Sequence, residues 1–379
     1  MKKRFLFPLI FLLGILPVWV RGQEPAKPFR RGLFVSAIQE PPVLSNREAI
    51  LKLVSFAKKA DVQVLFVQIY YANRTWFPSR VGDPVPYREC LKSVGEDPLK
   101  VLLREAHAAG IQVHAWLNML SLNDNGDAPL LRKYGTDILT RDAAGKRSLV
   151  DYKIDRQYFL EPGDPRVRKE LATLVGEVLR GYPDLDGIQF DYLRYPDVHP
   201  VYGHTKINIQ RFKETTGSVT IRNQDPVWQQ WKRDQVTGLL GTFVKKAREL
   251  RPGIRVSVTG CMPYPRAYHE AFQDWPSWLD RKIVDFATVM DYSPDPAQFE
   301  RWILNVKSKI RDFSKMNIGI GAYRLGNEPE TFSKEFRVCE TADAGACVVF
   351  HYGSLVEYPA LAEPLLEAER RNAKPSIRS

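Results

Sequence analysis

The segment at residues 187–196, GIQFDYLRYP, has the pattern of a buried strand that ends in a carboxylate. Because side chains alternate along a strand, Gln189 and Asp191 lie on one face and apolar residues on the other. In a parallel barrel the polar face would be the interior, and Asp191 would lie at the C-terminal strand end, where such barrels carry their chemistry. Arg194 could hold this acid ionised, and Tyr195 offers a ring that could stack on a flat ligand.

The elements that would position Asp191 alternate between strand and helix. Strands are predicted at 30–37, 62–71, 111–119, 187–191, 254–260, 286–292, 317–324 and 346–352. Eight such units indicate an α/β fold, a (β/α)8 TIM-like barrel, with long insertions after strands three and four, at 120–164 and 197–224. The rival fold is a doubly wound open sheet, which needs a glycine-rich first turn. Residues 38–43 (IQEPPV) contain no glycine.

The C-terminal strand ends of this barrel would carry rings, amides and imidazoles. This mixture suits sugars, because rings pack on their C–H faces while polar groups bind their hydroxyls. The predicted substrate-binding residues are Gln68, His114, Trp116, Asn118, Gln189, Arg194, Tyr195, Tyr323 and His351.

Cleavage of a glycosidic bond needs two carboxyl groups that flank it. Asp191 and Asp291 are the predicted pair, because each closes an apolar strand. Glu161 and Glu40 are the reserve candidates. The separation between the two carboxyl groups would distinguish a hydrolytic pair from acids that only share a rim.

Structural roles compete with these functional ones. Asp191 could be a capping or ion-paired acid held by Arg194. His114 could be a neutral histidine inside the barrel, and Trp116 could belong to the core. These alternatives stay open at the level of sequence.

The sequence indicates no metal centre and no cofactor. His199 and His204 share a loop whose nearby acid is Asp197, and the four cysteines match no zinc motif. Those cysteines could form at most two disulfides, among three possible pairings.

The N-terminus has the features of a secretory signal peptide. Basic residues 2–4 precede an uncharged apolar run, 5–20, which is too short for a membrane span and is followed by a possible cleavage site. We therefore expect a signal peptide at 1–22, a linker at 23–29, a barrel at 30–372 and a C-terminal tail at 373–379. The mature protein would be periplasmic or secreted, without a stable membrane span.

The net charge of +11 is spread along helices. Such scatter does not indicate a nucleic-acid partner, which would require a basic stripe with interleaved aromatics. A polysaccharide or oligosaccharide is the partner expected, and the oligomeric state is left open.

The chain resembles the bacterial glycosyl hydrolase-like family 10. The resemblance covers nearly all of the mature chain and is carried by RGLFVS at 31–36, HAWLNM at 114–119, LEPGDPRVR at 160–168, GIQFDYLRYP at 187–196, VMDY at 289–292, GIGAYR at 319–324 and VVFHYGSL at 348–355. It implies a TIM-like barrel and a glycosidase acting on a bacterial polysaccharide, with cell-wall glycan as a reasonable substrate class. Asp191 would be the central acid, and His114, Trp116, Asn118 and Tyr195 would line its site. The alternative is a barrel that binds glycan without cleaving it.

Overall fold

The computed structural model describes residues 29–147, 157–196 and 200–366. The predicted signal peptide, the linker except Phe29, the end of the barrel range and the tail at 373–379 lie outside the described residues. So do Asp197 and His199.

Eight parallel strands close into a barrel. They are β1 Arg31–Val35, β2 Val64–Tyr71, β3 Gln112–Asn118, β4 Gly187–Asp191, β5 Arg255–Cys261, β6 Phe286–Asp291, β7 Met316–Gly321 and β8 Cys347–Phe350. Each strand pairs with its neighbours in chain order, and β1 pairs with both β2 and β8. A two-residue strand, Arg74–Thr75, adds an antiparallel pair to β2. The predicted (β/α)8 barrel is confirmed.

Helices cover the outside of this barrel. They are α1 Arg47–Lys59, α2 Val85–Val94, α3 Pro98–Ala108, α4 Pro129–Tyr134, α5 Pro165–Gly181, α6 Lys206–Thr216, α7 Pro226–Leu250, α8 Tyr264–His269, α9 Trp275–Asp280, α10 Pro296–Lys307, α11 Pro329–Thr341 and α12 Tyr352–Glu357. The two long insertions follow β3 and β4 as predicted, and they contain α4 and α6. Among the described residues, no helix has the length and apolar character needed to cross a membrane.

Four of the helices begin at an Asp-Pro pair. Asp97, Asp164, Asp225 and Asp295 each accept a hydrogen bond from a backbone N–H of the first turn. The proline that follows has a backbone angle suited to the first helical position and lacks the N–H that would be unpaired there. The chain therefore enters these helices at defined residues.

Side-chain alternation divides the strands into an inner and an outer face. At the N-terminal end of the barrel, Phe66, His114 and Phe286 form an inner cluster with Phe29. The outward residues join the large core between strands and helices. On β4, this alternation sends Asp191 inward at the C-terminal end.

Candidate active site

Asp191 lies at the C-terminal end of the barrel and is fixed by three donors. Its Oδ2 accepts from the indole Nε1 of Trp116 at 3.0 Å, and its Oδ1 accepts from the backbone N of Tyr192 at 2.7 Å and from the hydroxyl of Thr259. The side chain is buried, with 4% of the residue exposed. Burial raises the pKa of Asp191 above its usual range, while the bonds from Thr259, Tyr192 and Trp116 act in the opposite direction.

The chain turns sharply directly after Asp191. Tyr192 has a φ of 53°, in the left-handed region that side chains other than glycine rarely adopt. Its ring lies 4.6 Å from the guanidinium of Arg194, which brings a cation back toward the strand end. Unusual backbone angles of this kind are concentrated at functional sites.

A cleft of about 300 Å³ opens above these residues at the mouth of the barrel. We call it the mouth cleft. Its lining includes the aromatic residues Tyr192, Tyr292, Trp302 and Tyr323 and the cations Arg194, Arg266 and Arg324. Tyr323 is 47% exposed, and its ring packs edge-on against Tyr292 at 5.6 Å. No carboxylate is among the described residues that line the cleft.

Tyr292 connects the mouth cleft with Asp191. Burial raises the pKa of its hydroxyl, and the negative charge of Asp191 raises it further. Gly321 makes room for the ring, since a Cβ at this glycine would approach the Tyr292 side chain to 2.8 Å. Tyr292 thus lines the cleft and is within electrostatic range of the Asp191 carboxylate.

Asp291 is not a partner of Asp191. On β6, Phe286, Thr288 and Met290 face inward, so Asp291 faces the helices. It is fully buried, and its pKa is raised to about 8 by burial and by the charge of Glu335 on α11. The predicted pair is corrected on this point, because the two acids lie on opposite faces of the sheet.

The reserve acids differ from each other in exposure. Glu161 is fully buried and accepts hydrogen bonds from Tyr195 at 2.6 Å and from Thr140 at 2.9 Å. Burial raises the pKa of Glu161, and those bonds act in the opposite direction. Glu40 is exposed on the loop that follows β1. Of these two acids, Glu40 is the one that solvent and a ligand can reach.

The amides predicted to bind substrate lie inside the barrel. Gln68 accepts from Ser36 and donates to Asn118 at 3.1 Å. Gln189 accepts from the hydroxyls of Ser257 and Thr288. These three amides are buried and bonded to one another or to hydroxyl groups; Gln189 lies one inward position below Asp191, and Asn118 pairs with Asp191 in the strand register.

His114 and Tyr195 are not at the mouth, contrary to prediction. His114 is fully buried among phenylalanines at the N-terminal end, and burial lowers its pKa to about 3. His114 faces inward on β3, as the predicted alternation requires. It lies two inward positions below Asn118, however, and Asn118 is the residue at the rim. Tyr195 is 1% exposed, and its ring packs against Phe272 at 5.7 Å.

The remaining predicted residues lie near the C-terminal strand ends. Trp116 is 3% exposed, packs against Phe34 and donates to Asp191, so it positions the acid rather than offering a sugar platform. Arg194 and Tyr323 line the mouth cleft. His351 follows β8 and is half-buried, and burial lowers its pKa.

Sequence reasoning missed Thr259, Tyr292 and Trp302. Strict alternation would have identified the first two, since Thr259 is an inward position of β5 and Tyr292 continues the inward series of β6. Trp302 lies on α10, and its place beside the cleft depends on helix packing that no strand pattern predicts. No cluster of three or more His, Cys, Asp or Glu side chains suited to a metal ion occurs in the part of the chain that the structure describes.

A family model described as Glycosyl hydrolase-like 10 matches residues 31–335. The chain belongs to this family. It is 22% identical over 359 residues to the glycosyl hydrolase DigH of Escherichia coli (strain K12), with 83% of this chain and 78% of that protein covered. It is 24% identical over 312 residues to the glycosyl hydrolase YngK of Bacillus subtilis (strain 168), with 75% and 57% covered.

Solved structures confirm the fold. The PgaB (BpsB) glycoside hydrolase domain from Bordetella bronchiseptica is similar with a TM-score of 0.69 and 15% identity, over 93% of this chain and 100% of that one. The catalytic domain of β-amylase from Paenibacillus polymyxa gives a TM-score of 0.59 and 12% identity, over 93% and 100%. Family membership supports a hydrolase-like barrel that acts on glycans.

Proposed function

We propose that the protein is an exported glycoside hydrolase that cleaves glycosidic bonds in a bacterial polysaccharide, with cell-wall glycan as the substrate class. The observation that carries this proposal is the arrangement at Asp191. Its carboxyl group is held by donors from Trp116, Tyr192 and Thr259, and Tyr192, the next residue in the chain, lines a cleft with aromatic and cationic walls.

This arrangement suits the charge that develops during glycoside cleavage. The transition state resembles an oxocarbenium ion, which a carboxylate can stabilise or attack. The three donors favour the ionised form of Asp191 against the effect of burial. Asp191 is therefore the nucleophile or the electrostatic stabiliser, and a separate group protonates the leaving oxygen.

We assign Glu40 as the first residue to test for that second role. It is an exposed acid at the C-terminal side of the barrel, on the loop after β1. The same loop packs against the residues after β8, because a Cβ at Gly353 would approach Gln39 to 2.9 Å. Glu161 is less suitable, because its buried carboxylate is engaged by Tyr195 and Thr140.

Two features support the proposed export. The first is the apolar leader that the sequence indicates at 1–22. The second is a disulfide between Cys339 on α11 and Cys347 on β8. Structural disulfides persist mainly in oxidising compartments such as the periplasm and the cell exterior.

The test is release of reducing ends from purified peptidoglycan and from a panel of exopolysaccharides. Wild type should release them on at least one substrate, and Asp191→Asn should lower kcat by at least about a thousandfold, since it removes a reacting carboxylate. Asp291→Asn is the matched control, because the same substitution on the outer face should keep activity. Glu40→Gln examines the second role. Equal release by wild type and Asp191→Asn would remove Asp191 from catalysis.

A barrel that binds glycan without cleaving it is the second candidate. It is favoured by one observation, that no carboxylate is among the described residues that line the mouth cleft. Binding of peptidoglycan by wild type and by Asp191→Asn, with no release by either on any substrate, would establish this alternative.

A further inference from the structure

A second groove of about 430 Å³ lies beside the mouth cleft. It is lined by the start of α8 and by the second half of α10, and we call it the side groove. Trp302 lines both the mouth cleft and the side groove. The backbone gives a second connection, because Met262 borders the cleft and the next residue, Pro263, borders the groove.

We propose that a glycan chain bound in the mouth cleft continues over Trp302 into the side groove. The protein would then bind polymers through sugar subsites on both sides of this ring. The proposal rests on the proposed function and extends it from bond cleavage to the path of the chain.

The side groove has the chemistry that a sugar chain requires. Trp302 and Tyr264 are half-buried rings with accessible surface, suited to packing on the C–H faces of sugars. Asn305, Ser308 and Lys309 are exposed along its edge and can bond hydroxyl or amide groups. No carboxylate is among the described residues of its lining, so a neutral or an anionic chain meets no like charge there.

The Tyr264 ring is held in place before any ligand arrives. The Tyr264 hydroxyl donates to Asp274 at 2.8 Å, and its ring packs edge-on against Trp275 at 5.9 Å. Side chains that are already ordered lose little conformational entropy on binding. The Tyr264 side of the side groove is therefore preformed.

A different groove, of about 540 Å³, lies near β1 and β2 but does not offer the same path. Its described lining, which includes Ile38, Trp76, Asp83 and Glu89, shares no residue with that of the mouth cleft. It also carries two acids. Continuity and charge thus both favour the route over Trp302.

The test is binding as a function of chain length, measured on Asp191→Asn protein so that the ligand stays intact. The probes are chitin di-, tetra- and hexasaccharides and long glycan strands released from peptidoglycan. Affinity should rise with length. Trp302→Ala should weaken binding of the long probes by about tenfold and binding of the disaccharide by less, since a disaccharide in the mouth cleft reaches only one side of the ring and one ring contact is worth roughly that factor.

Two further variants separate a lost subsite from a damaged fold. Ser308→Trp adds bulk to the side groove from an exposed position that lies outside the lining of the mouth cleft, so this variant should weaken only the long probes. Leu304→Ala is the matched control, because Leu304 is 59% exposed on the same helix and lies in the lining of neither opening. Length-dependent binding that both groove variants retain would overturn the path over Trp302 while leaving the proposed function intact. Absence of binding to every probe and of hydrolysis by wild type would overturn the proposed function itself.

Discussion

At the scale of single residues, the ionisation of Asp191 depends on a balance that can be altered one donor at a time. Burial raises the pKa of this acid, and the hydroxyl of Thr259, the amide of Tyr192 and the indole of Trp116 oppose that rise. The amide cannot be removed by mutation, but the two side-chain donors can.

We expect Thr259→Val and Trp116→Phe to raise the pKa of Asp191 further, because each removes a bond that favours the charged form. The acid limb of kcat/KM against pH should move to higher pH, and kcat should fall by about tenfold to a hundredfold with little change in KM. A variant that merely loosened the fold would lower activity without moving the limb. An unmoved acid limb in both variants would contradict the assigned role of these donors.

Part of the candidate site can be predicted from the sequence, residue by residue. Asp191 and its inward orientation follow from alternation along one strand. The prediction of Asp291 as the second carboxylate rests on the same pattern, an acid that ends an apolar strand. On β6, however, the alternation of inward-facing residues continues to Tyr292 and excludes Asp291. His114 faces the barrel interior as predicted, but it lies at the N-terminal end of the barrel and not at the mouth. Its height is shown only by the strand register, in which it pairs with Gly187 at the start of β4.

At the scale of elements, the contact between β6 and α11 contains two buried acids. The pKa of Asp291 is raised to about 8 by burial and the charge of Glu335, and that of Glu335 is raised to about 8 by burial and the charge of Asp295. An unfolded carboxyl group has a pKa of about 4. Between about pH 4 and pH 8, the unfolded chain therefore releases protons that the folded protein keeps.

The free energy of unfolding should consequently fall as pH rises through this window. Asp291→Asn should flatten that dependence and raise the melting temperature at pH 8 more than at pH 5, because the amide cannot ionise. Thermal unfolding across pH measures it, with Glu330→Gln on the exposed side of α11 as control. A melting temperature that responds equally at both pH values would contradict the inference that Asp291 is protonated in the fold.

A second contact between elements secures the insertion that follows β3. Tyr195, after β4, donates to the fully buried Glu161 at 2.6 Å. Tyr195→Phe should lower the free energy of unfolding by about 1–3 kcal/mol, since it leaves a buried acceptor with one donor fewer. Chemical denaturation gives the value, and faster proteolytic cleavage within 120–147 would show that the insertion is affected. Unchanged stability would mean that the other two donors, the Thr140 hydroxyl and the backbone N–H of Gly163 at 3.2 Å, are sufficient to hold Glu161.

At the scale of the whole molecule, the barrel can be predicted from the sequence because the same strand-and-helix pattern occurs eight times along the chain. Each strand is an apolar run followed by a helix, and helix starts such as Asp164-Pro165 and Asp225-Pro226 are local signals. The mouth cleft is harder to predict from the sequence. It combines strand ends with Trp302 from a helix, and that meeting depends on packing between elements distant in sequence.

The disulfide between Cys339 and Cys347 connects this architecture to the proposed export. It joins α11 to β8 with a Cα–Cα distance of 5.8 Å, while the other two cysteines, Cys90 and Cys261, are buried. Protein recovered from the periplasm or medium should therefore show two thiols per chain when denatured without reductant, out of four cysteines. Replacement of both bridge cysteines by serine should cost about 2–3 kcal/mol of stability, as expected for a short closed loop. Four thiols in the exported protein would contradict the bridge, and recovery of the wild-type chain solely from the cytoplasm would contradict export.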